Sequence, residues 1–160
     1  MHRYQLISTS VTQTQALAAQ LAQHVTALVH DKAFLLTLEG DLGAGKTAFS
    51  QGFIQALLPN ARVKSPTFSL IESYPLDQLT LHHLDLYRLQ DPEELEYLGL
   101  RDLFWHSICL IEWASRGEGW LPVADCAIQI VSLEHDSREI KLTAQTELGN
   151  QLLAALLESS

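Results

Sequence analysis

One segment in the first third of the chain has the residue types and spacing of a phosphate-binding loop. Residues 40–47, GDLGAGKT, satisfy the pattern G-x-x-x-x-G-K-[ST]. An apolar stretch precedes the segment and a helix-forming stretch follows it, which is the context the pattern requires. Its glycines let backbone N–H groups approach phosphates at a helix N-terminus, where the helix dipole is positive. The sequence therefore predicts a nucleotide-binding loop between a strand and a helix.

The chemistry of the loop divides between two side chains and the backbone. Lys46 is predicted to reach the β- and γ-phosphate oxygens, and the Thr47 hydroxyl to bind a Mg²⁺ ion that bridges them. ATP and Mg²⁺ are thus the expected ligands. The residues predicted to surround the phosphates are Asp41, Leu42, Gly43, Ala44, Gly45, Lys46, Thr47 and Ala48.

A loop of this kind needs a second magnesium anchor, usually an acid at the end of another buried strand. Two acids qualify: Glu112 follows four apolar residues, and Asp85 ends the more polar segment LHHLD. Glu112 is favoured as the metal ligand. Asp85 is predicted to hold a metal-bound water or the attacking water; alternatively, it caps a turn or pairs with Arg88. Lys46, Asp85 and Glu112 are the predicted catalytic residues.

Length, composition and charge restrict the function further. The 160 residues, 47% of them hydrophobic, predict one globular domain spanning residues 1–160. Ten Lys and Arg against nineteen Asp and Glu give a net charge of −9, which disfavours direct, non-specific nucleic-acid binding. Cys109 and Cys126 form no disulfide framework, and no apolar run has the length of a membrane span. We expect a cytoplasmic protein with no membrane partner.

The hydrophobic pattern predicts an α/β fold: a P-loop NTPase-like domain whose mixed, largely parallel central sheet is flanked by helices and β-hairpins. A helix with a capping box at Ser10 and Gln13 is expected early in the chain, and a helix N-cap is expected at Asp91. The predicted strands are residues 4–8, 33–38, 69–76, 79–85, 107–112, 125–133 and 139–143. Four further helices are predicted: one from the phosphate loop to about residue 58, one from the Asp91 N-cap to residue 97, one over 101–105 and one over 147–157.

The absence of two sequence features narrows the choice of nucleotide and of reaction. Asn60 and Asn150 are the only asparagines, and neither begins the N-K-x-D segment with which guanine-specific proteins read the base. The arginines are scattered singly, whereas a small-molecule kinase needs several around the transferring phosphoryl group. Hydrolysis of ATP therefore fits best. A small-molecule kinase and a nucleotide-sensing scaffold without useful turnover remain the alternatives.

Four sequence blocks in order carry a resemblance to a known family. GDLGAGKT, VKSPTF, HLDLYRLQDPEELEYLGLRDLF and ICLIEW together resemble the TsaE family, also called YjeE, over about residues 5–145. Members of this family are bacterial P-loop ATPases required for the threonylcarbamoyladenosine modification of the tRNA adenosine next to the anticodon. The resemblance implies an ATPase of low activity alone that acts with TsaD- and TsaB-type proteins and reaches tRNA only indirectly.

Carried over position by position, the resemblance assigns roles that match those drawn from the residues. It implies phosphate and magnesium roles for Lys46 and Thr47, a metal role for Glu112, and a functional acid at Asp85 within the H-x-D-L-Y-R block. The remaining implied residues are Ser65, Pro66 and Thr67 in a switch-like loop, Trp113 beside the nucleotide, and Thr14 and Arg138 near the base or ribose. Leu84 departs from the family, in which an aromatic residue is commoner there.

Overall fold

The computed structural model describes residues 2–159, and these form one mixed sheet with helices on both faces. The strands are β1 (Arg3–Ser8), β2 (Phe34–Glu39), β3 (Ile71–Pro75), β4 (Thr80–Asp85), β5 (Ser107–Glu112), β6 (Cys126–Ser132) and β7 (Arg138–Ala144). The helices are α1 (Val11–Leu28), α2 (Lys46–Leu57), α3 (Glu94–Tyr97), α4 (Leu100–Leu103) and α5 (Glu147–Glu158), and Ala114–Gly117 forms a 3-10 turn.

The strand order within these residues is β1-β7-β6-β2-β5-β4-β3. The four central strands, β6, β2, β5 and β4, run parallel to one another, and β1, β7 and β3 pair antiparallel at the two edges. Strands β2 and β5 are apolar on both faces because each is covered by helices or turns on both sides. The predicted α/β fold with a parallel centre and flanking hairpins is confirmed.

Each face of the sheet has its own apolar cluster. Helices α1, α2 and α5 cover one face, where Leu21, Phe49 and Leu152 pack against inward-facing strand residues. The shorter helices α3 and α4 cover the other face, where Leu95 and Leu100 pack against the opposite residues of the same strands. Alternate side chains of each central strand thus enter different clusters, which fixes the strand register.

Two of the predicted helix starts differ from the structure in detail. Ser10 caps α1 as predicted, accepting a hydrogen bond from the Gln13 N–H at 3.1 Å. The Gln13 side chain, however, accepts from the Thr9 N–H at 2.7 Å, one residue before the position of a capping box. Asp91 forms the predicted cap: its side chain accepts from the Glu93 N–H at 2.9 Å, and its own N–H donates to the Glu94 carboxylate at 3.1 Å. The difference is that these residues form a turn and the regular helix α3 begins only at Glu94.

The hairpin of β3 and β4 has the two-residue turn that the sequence predicts. The Leu76 N–H donates to the Leu79 carbonyl at 2.8 Å across residues 77 and 78. Strand β3 is shorter than predicted because Leu70 adopts a left-handed backbone (φ 67°), which breaks the extended conformation before Ile71. Within residues 2–159, no helix combines the length and apolar character needed to cross a bilayer.

Candidate functional site

The loop of residues 40–47 connects the end of β2 to the first turn of α2. Gly43 (φ 80°) and Gly45 (φ 113°) adopt left-handed backbone conformations that favour glycine. Gly40 lies so close to β6 that a Cβ there would come within 2.5 Å of the Ile130 carbonyl oxygen. The glycines of the pattern therefore serve both the loop's curvature and its contact with the sheet.

Most of the predicted phosphate-contacting residues lie at the mouth of this loop. Leu42 and Thr47 are exposed, Ala48 is half-buried in the first turn of α2, and Ala44 is buried. The Ala44 N–H donates to the Asp41 carbonyl at 3.0 Å and closes a turn within the loop. Thr47 thus presents its side chain at the start of α2, where the sequence places the magnesium contact.

The side chain of Lys46 turns inward, although it carries a charge. It is only 5% exposed, and its Nζ donates to the carbonyl oxygens of Gly40 and, at 2.9 Å, of Asp41. The ammonium also lies 4.4 Å from the Trp113 ring centroid. Burial lowers the pKa of Lys46, and the nearby carboxylates, first among them Glu112, oppose that effect. The structure thus contains a desolvated cation at the base of the loop.

The two predicted acids end neighbouring parallel strands and lie side by side. Asp85 in β4 is the register partner of Glu112 in β5, and Glu112 is in turn the partner of Leu38 in β2. The carboxyl ends of parallel strands meet at one edge of a sheet, so both acids lie beside the loop that follows β2. Both are buried, and the structure brings them together with Lys46 as the sequence predicts.

Glu112 is held by two side chains that donate to one of its oxygens. Its Oε2 accepts from the Ser50 Oγ at 3.1 Å and lies 2.6 Å from the His83 Nε2. Neither contact is among the predictions from the sequence. His83 precedes Asp85 by two residues and therefore shares its strand face, and this spacing is a signal that would have placed His83 beside Glu112.

Asp85 is anchored by the backbone rather than by an ion pair. Its Oδ1 accepts from the Tyr87 N–H at 3.0 Å, so it caps a turn, as one sequence-based alternative proposes. Asp85 and Arg88 form no ion pair in the described part of the chain. The Arg88 guanidinium instead lies over the Phe68 ring, 4.6 Å from its centroid. Burial raises the pKa of Asp85, the Glu112 charge adds to the rise, and the Tyr87 N–H opposes it.

A cleft of about 500 Å³ opens beside the loop. Trp113 forms part of its wall, with a left-handed backbone (φ 57°) and its ring centroid 5.0 Å from that of Tyr87. Thr14, a predicted base or ribose contact, is buried instead and shares a 2.7 Å hydrogen bond with Ser8. The cleft is lined by Val11, Leu42, Gly43, Gly45, Lys46, Thr47, Thr67, Asp85, Tyr87, Arg88, Glu112, Trp113 and Arg138.

The predicted switch loop borders a second, smaller cavity of about 60 Å³, which it shares with Thr47, Asp85 and Glu112. The hydroxyls of Ser65 and Thr67 share a hydrogen bond at 2.7 Å. The Pro66 carbonyl accepts from the Leu70 N–H at 2.8 Å and closes the loop. The loop thus lies against both acids, and the Phe68 side chain that follows it is 86% exposed.

Arg138, at the start of β7, contacts the phosphate loop directly. Its Nε donates to the Ala44 carbonyl at 2.8 Å, and its Nη2 lies 3.4 Å from the Gly43 carbonyl. A third nitrogen, Nη1, donates to the Ser137 carbonyl at 2.9 Å. The family resemblance implies a place for Arg138 near the base or ribose; what the structure shows is its contact with the turn of the phosphate loop.

Replacing Arg138 with alanine is therefore expected to weaken ATP binding about 10-fold, since hydrogen bonds from a charged donor contribute roughly 1.5–3 kcal/mol. Arg101→Ala is the matched control because the Arg101 side chain is 93% exposed. Calorimetric titration with ATP measures both variants. Equal ATP affinities in the two would show that Arg138 does not organise the loop.

The oxygen donors at this edge of the sheet fit a magnesium ion. Thr47, Asp85 and Glu112 supply a hydroxyl and two carboxylates, which are the hard oxygen ligands that Mg²⁺ prefers. Residues 2–159 contain no group of three or more His, Cys, Asp or Glu side chains arranged to hold a metal by themselves. Mg²⁺ is usually bound through one or two carboxylates together with the phosphates of a substrate, which is the role that the sequence predicts for these residues.

Comparisons with known proteins agree with the resemblance in the sequence. The family model described as Threonylcarbamoyl adenosine biosynthesis protein TsaE matches residues 8–140. The tRNA threonylcarbamoyladenosine biosynthesis protein TsaE of Haemophilus influenzae is 46% identical over 85% of this chain and 86% of its own. Its namesake in Bacillus subtilis is 46% identical over 73% of this chain and 72% of its own.

The similarity extends to a solved structure. The crystal structure of Bacillus subtilis YdiB superposes with a TM-score of 0.78 at 33% identity, covering 99% of this chain and 96% of that one. The matched range, residues 8–140, contains the phosphate loop, both acids and the tryptophan that follows Glu112. The chain belongs to the TsaE family of tRNA threonylcarbamoyladenosine biosynthesis.

Proposed function

We propose that the chain binds ATP with Mg²⁺ and hydrolyses it as a subunit of the machinery that makes threonylcarbamoyladenosine in tRNA. One observation carries the proposal: Lys46, Asp85 and Glu112 converge beside Thr47 in a single cleft. Transfer of a phosphoryl group to water requires a cation that binds the phosphates, a residue that holds the metal ion and a carboxylate that positions the attacking water, and these residues supply all three.

Binding in this proposal depends on the loop and the walls of the cleft. The backbone N–H groups at the start of α2 meet the phosphates, and Lys46 exchanges its carbonyl partners for phosphate oxygens. Trp113 lies beside the nucleotide, and Arg138 keeps the loop in its curved form. A net charge of −9 makes this local cationic site necessary for any anionic ligand.

The metal and the acid have separate tasks. Thr47 and Glu112 would hold Mg²⁺, which supplies positive charge to the phosphate oxygens while the terminal phosphoryl group is transferred. Asp85, fixed by the Tyr87 N–H, holds a metal-bound water or the attacking water and accepts its proton. The raised pKa of Asp85 makes its carboxylate a stronger base than an exposed aspartate.

Phosphate release with and without a complex of TsaD- and TsaB-type proteins tests the proposal. We expect slow release by the chain alone and faster release when the partners are added. Glu112→Ala and Thr47→Ala are expected to weaken magnesium-dependent ATP binding about 10-fold or more and to leave magnesium-free binding unchanged. ATP binding without phosphate release under any of these conditions would instead indicate a nucleotide-sensing scaffold.

The loop of Ser65, Pro66 and Thr67 is proposed as the segment that reports ATP occupancy to the partners. Pro66 restricts the preceding residue to an extended backbone, and the loop borders the cavity that contains Thr47 and both acids. A γ-phosphate bound there would order the Thr67 hydroxyl, and its loss after hydrolysis would release the loop. One phosphate would thereby change the surface that includes the exposed Phe68.

This switch predicts that affinity for the TsaD–TsaB-type complex depends on the bound nucleotide. We expect binding to be tightest with a non-hydrolysable ATP analogue, and Thr67→Ala to reduce the difference between the analogue and ADP at least 5-fold. Ser69→Ala is a suitable control, since Ser69 is exposed and its hydroxyl donates to Glu72. Equal wild-type affinities with the analogue, ADP and no nucleotide would contradict a nucleotide-controlled switch.

A further inference from the structure

The imidazole of His83 lies in the buried layer beneath the proposed metal site. It is 3% exposed, and its Nε2 lies 2.6 Å from the Oε2 of Glu112. A carboxylate oxygen can only accept a hydrogen bond, so the proton of this contact lies on Nε2. Strand register fixes the pair, because β4 and β5 run parallel with Asp85 opposite Glu112 and His83 two residues earlier.

Both donors to Glu112 converge on the same oxygen. The Ser50 hydroxyl donates to Oε2 at 3.1 Å, and His83 donates to that same atom. No side chain or backbone group of residues 2–159 donates to Oε1. Two donors on one oxygen fix the rotation of the carboxyl group about its last bond, so the other oxygen has a defined direction.

A packing role alone does not account for a histidine at this position. The Nδ1 of His83 is buried and has no hydrogen-bond partner among the described residues. A buried polar atom without a partner is unfavourable, and an apolar side chain of similar size would avoid it. What the imidazole adds at this place is the single hydrogen bond from Nε2 to Glu112.

We propose that His83 is a positioning residue, which together with Ser50 turns the Glu112 carboxylate so that Oε1 serves as the magnesium ligand. The inference rests on the proposed function, in which Glu112 holds Mg²⁺ for ATP. His83 lines the small cavity with Thr47, Asp85 and Glu112, and in this proposal it acts through its hydrogen bond to Glu112 rather than as a metal ligand. Partners of this kind orient a metal ligand, and removing one weakens metal binding about 10–100-fold.

Two amide variants separate this role from packing. In His83→Gln the side-chain amide nitrogen reaches as far as the imidazole Nε2 and can donate to Glu112, whereas in His83→Asn it reaches only the position of Nδ1. The measurement is the Mg²⁺ concentration that half-saturates the binding of a fluorescent ATP analogue. We expect it to rise about 10-fold in His83→Asn and to stay within about threefold of wild type in His83→Gln. Magnesium-free binding should be the same in both.

The melting temperatures of both variants test for a general loss of structure, and we expect them to lie close to the wild-type value. An unchanged Mg²⁺ requirement in His83→Asn overturns the proposal, and so does an equal rise in both amide variants. Ser50→Ala removes the second donor to Oε2 and gives a reading that does not depend on the folding of His83→Asn. We expect its Mg²⁺ requirement to rise about threefold, and no rise would contradict the orientation of Glu112 by its donors.

Glu112→Ala distinguishes failure of this inference from failure of the proposed function. If Glu112→Ala raises the Mg²⁺ requirement and the His83 and Ser50 variants do not, Glu112 holds the metal without help from His83. If Glu112→Ala itself leaves the Mg²⁺ requirement unchanged, the assignment of Glu112 to the metal is wrong, and the positioning role is wrong with it.

Discussion

Lys46→Ala is expected to lower the affinity for ATP about 100-fold while the domain remains folded. The ammonium is the cation nearest to the bound phosphates in the proposed complex, and truncating one partner of a desolvated charge pair typically lowers affinity by roughly 2–5 kcal/mol. In the nucleotide-free structure, the Lys46 ammonium donates to the carbonyls of Gly40 and Asp41, lies over the Trp113 ring and interacts electrostatically with nearby carboxylates, first among them Glu112. The structural role of its side chain is therefore small compared with its role in binding.

Stability should fall only slightly in this variant. Burial lowers the pKa of Lys46, so the charged ammonium is less favourable in the folded chain than in the unfolded one. The charge itself therefore adds no stability, and the loss of the contacts with Gly40, Asp41 and Trp113 is expected to lower the melting temperature only slightly at neutral pH. Lys141→Ala controls for the change in net charge, because Lys141 is exposed in β7. Calorimetric binding of ATP to Lys46→Ala with the wild-type affinity would exclude the phosphate role.

Asp85→Asn is expected to reduce phosphate release about 100-fold or more and to change ATP affinity less than threefold. The amide keeps the shape of the side chain and can still accept from the Tyr87 N–H, but it cannot accept a proton from water. Single-turnover phosphate release and calorimetry separate the two effects. If Asp85→Asn abolishes the magnesium dependence of binding and Glu112→Ala does not, the roles of the two acids must be exchanged.

The pH dependence of stability in the wild type and in Asp85→Asn gives an independent test of the Asp85 environment. Because burial raises the pKa of Asp85 in the nucleotide-free chain, its carboxylate should take up a proton on acidification at a higher pH than an exposed aspartate does. At neutral pH the ionised carboxylate lowers stability, so Asp85→Asn should melt at an equal or higher temperature. As the pH falls through the raised pKa, the wild type becomes protonated and this difference should disappear.

Much of the fold could be predicted because local signals and hydrophobic pattern agree. The segment SICLIE has the bounds predicted for β5, since both of its faces are buried and a charged residue ends it. The phosphate loop was predictable because its glycines are required locally, for left-handed backbone at Gly43 and Gly45. The convergence of Asp85 and Glu112 follows from parallel strands that share an edge. These features depend on the spacing of apolar, glycine and acidic residues along the chain, which can be read from a single sequence.

The remaining features depend on contacts between distant segments. The inward position of Lys46 follows from burial beneath Trp113, which the spacing of the motif does not encode. The contact of Arg138 with Ala44, which lies 94 residues earlier in the chain, requires β7 to pair with β6 and β6 to pair with β2. The family resemblance implies that Thr14 lies near the nucleotide, whereas the packing of α1 against β1 buries it with Ser8 as its partner. Tertiary packing decided each of these side-chain positions.

The position of β2 at the centre of the sheet has a consequence for how the protein is made. Its two neighbours, β5 and β6, lie some seventy or more residues later in the chain, and Arg138 comes later still. While the chain emerges from the ribosome, β2 and the glycine loop have no strand to pair with until residue 107 and beyond have been synthesised. A nascent fragment therefore has no formed site for a nucleotide, and we expect folding to be slow and dominated by non-local contacts. In the proposed function ATP binds only the assembled sheet, so cellular nucleotide would favour the finished fold over partly folded chains.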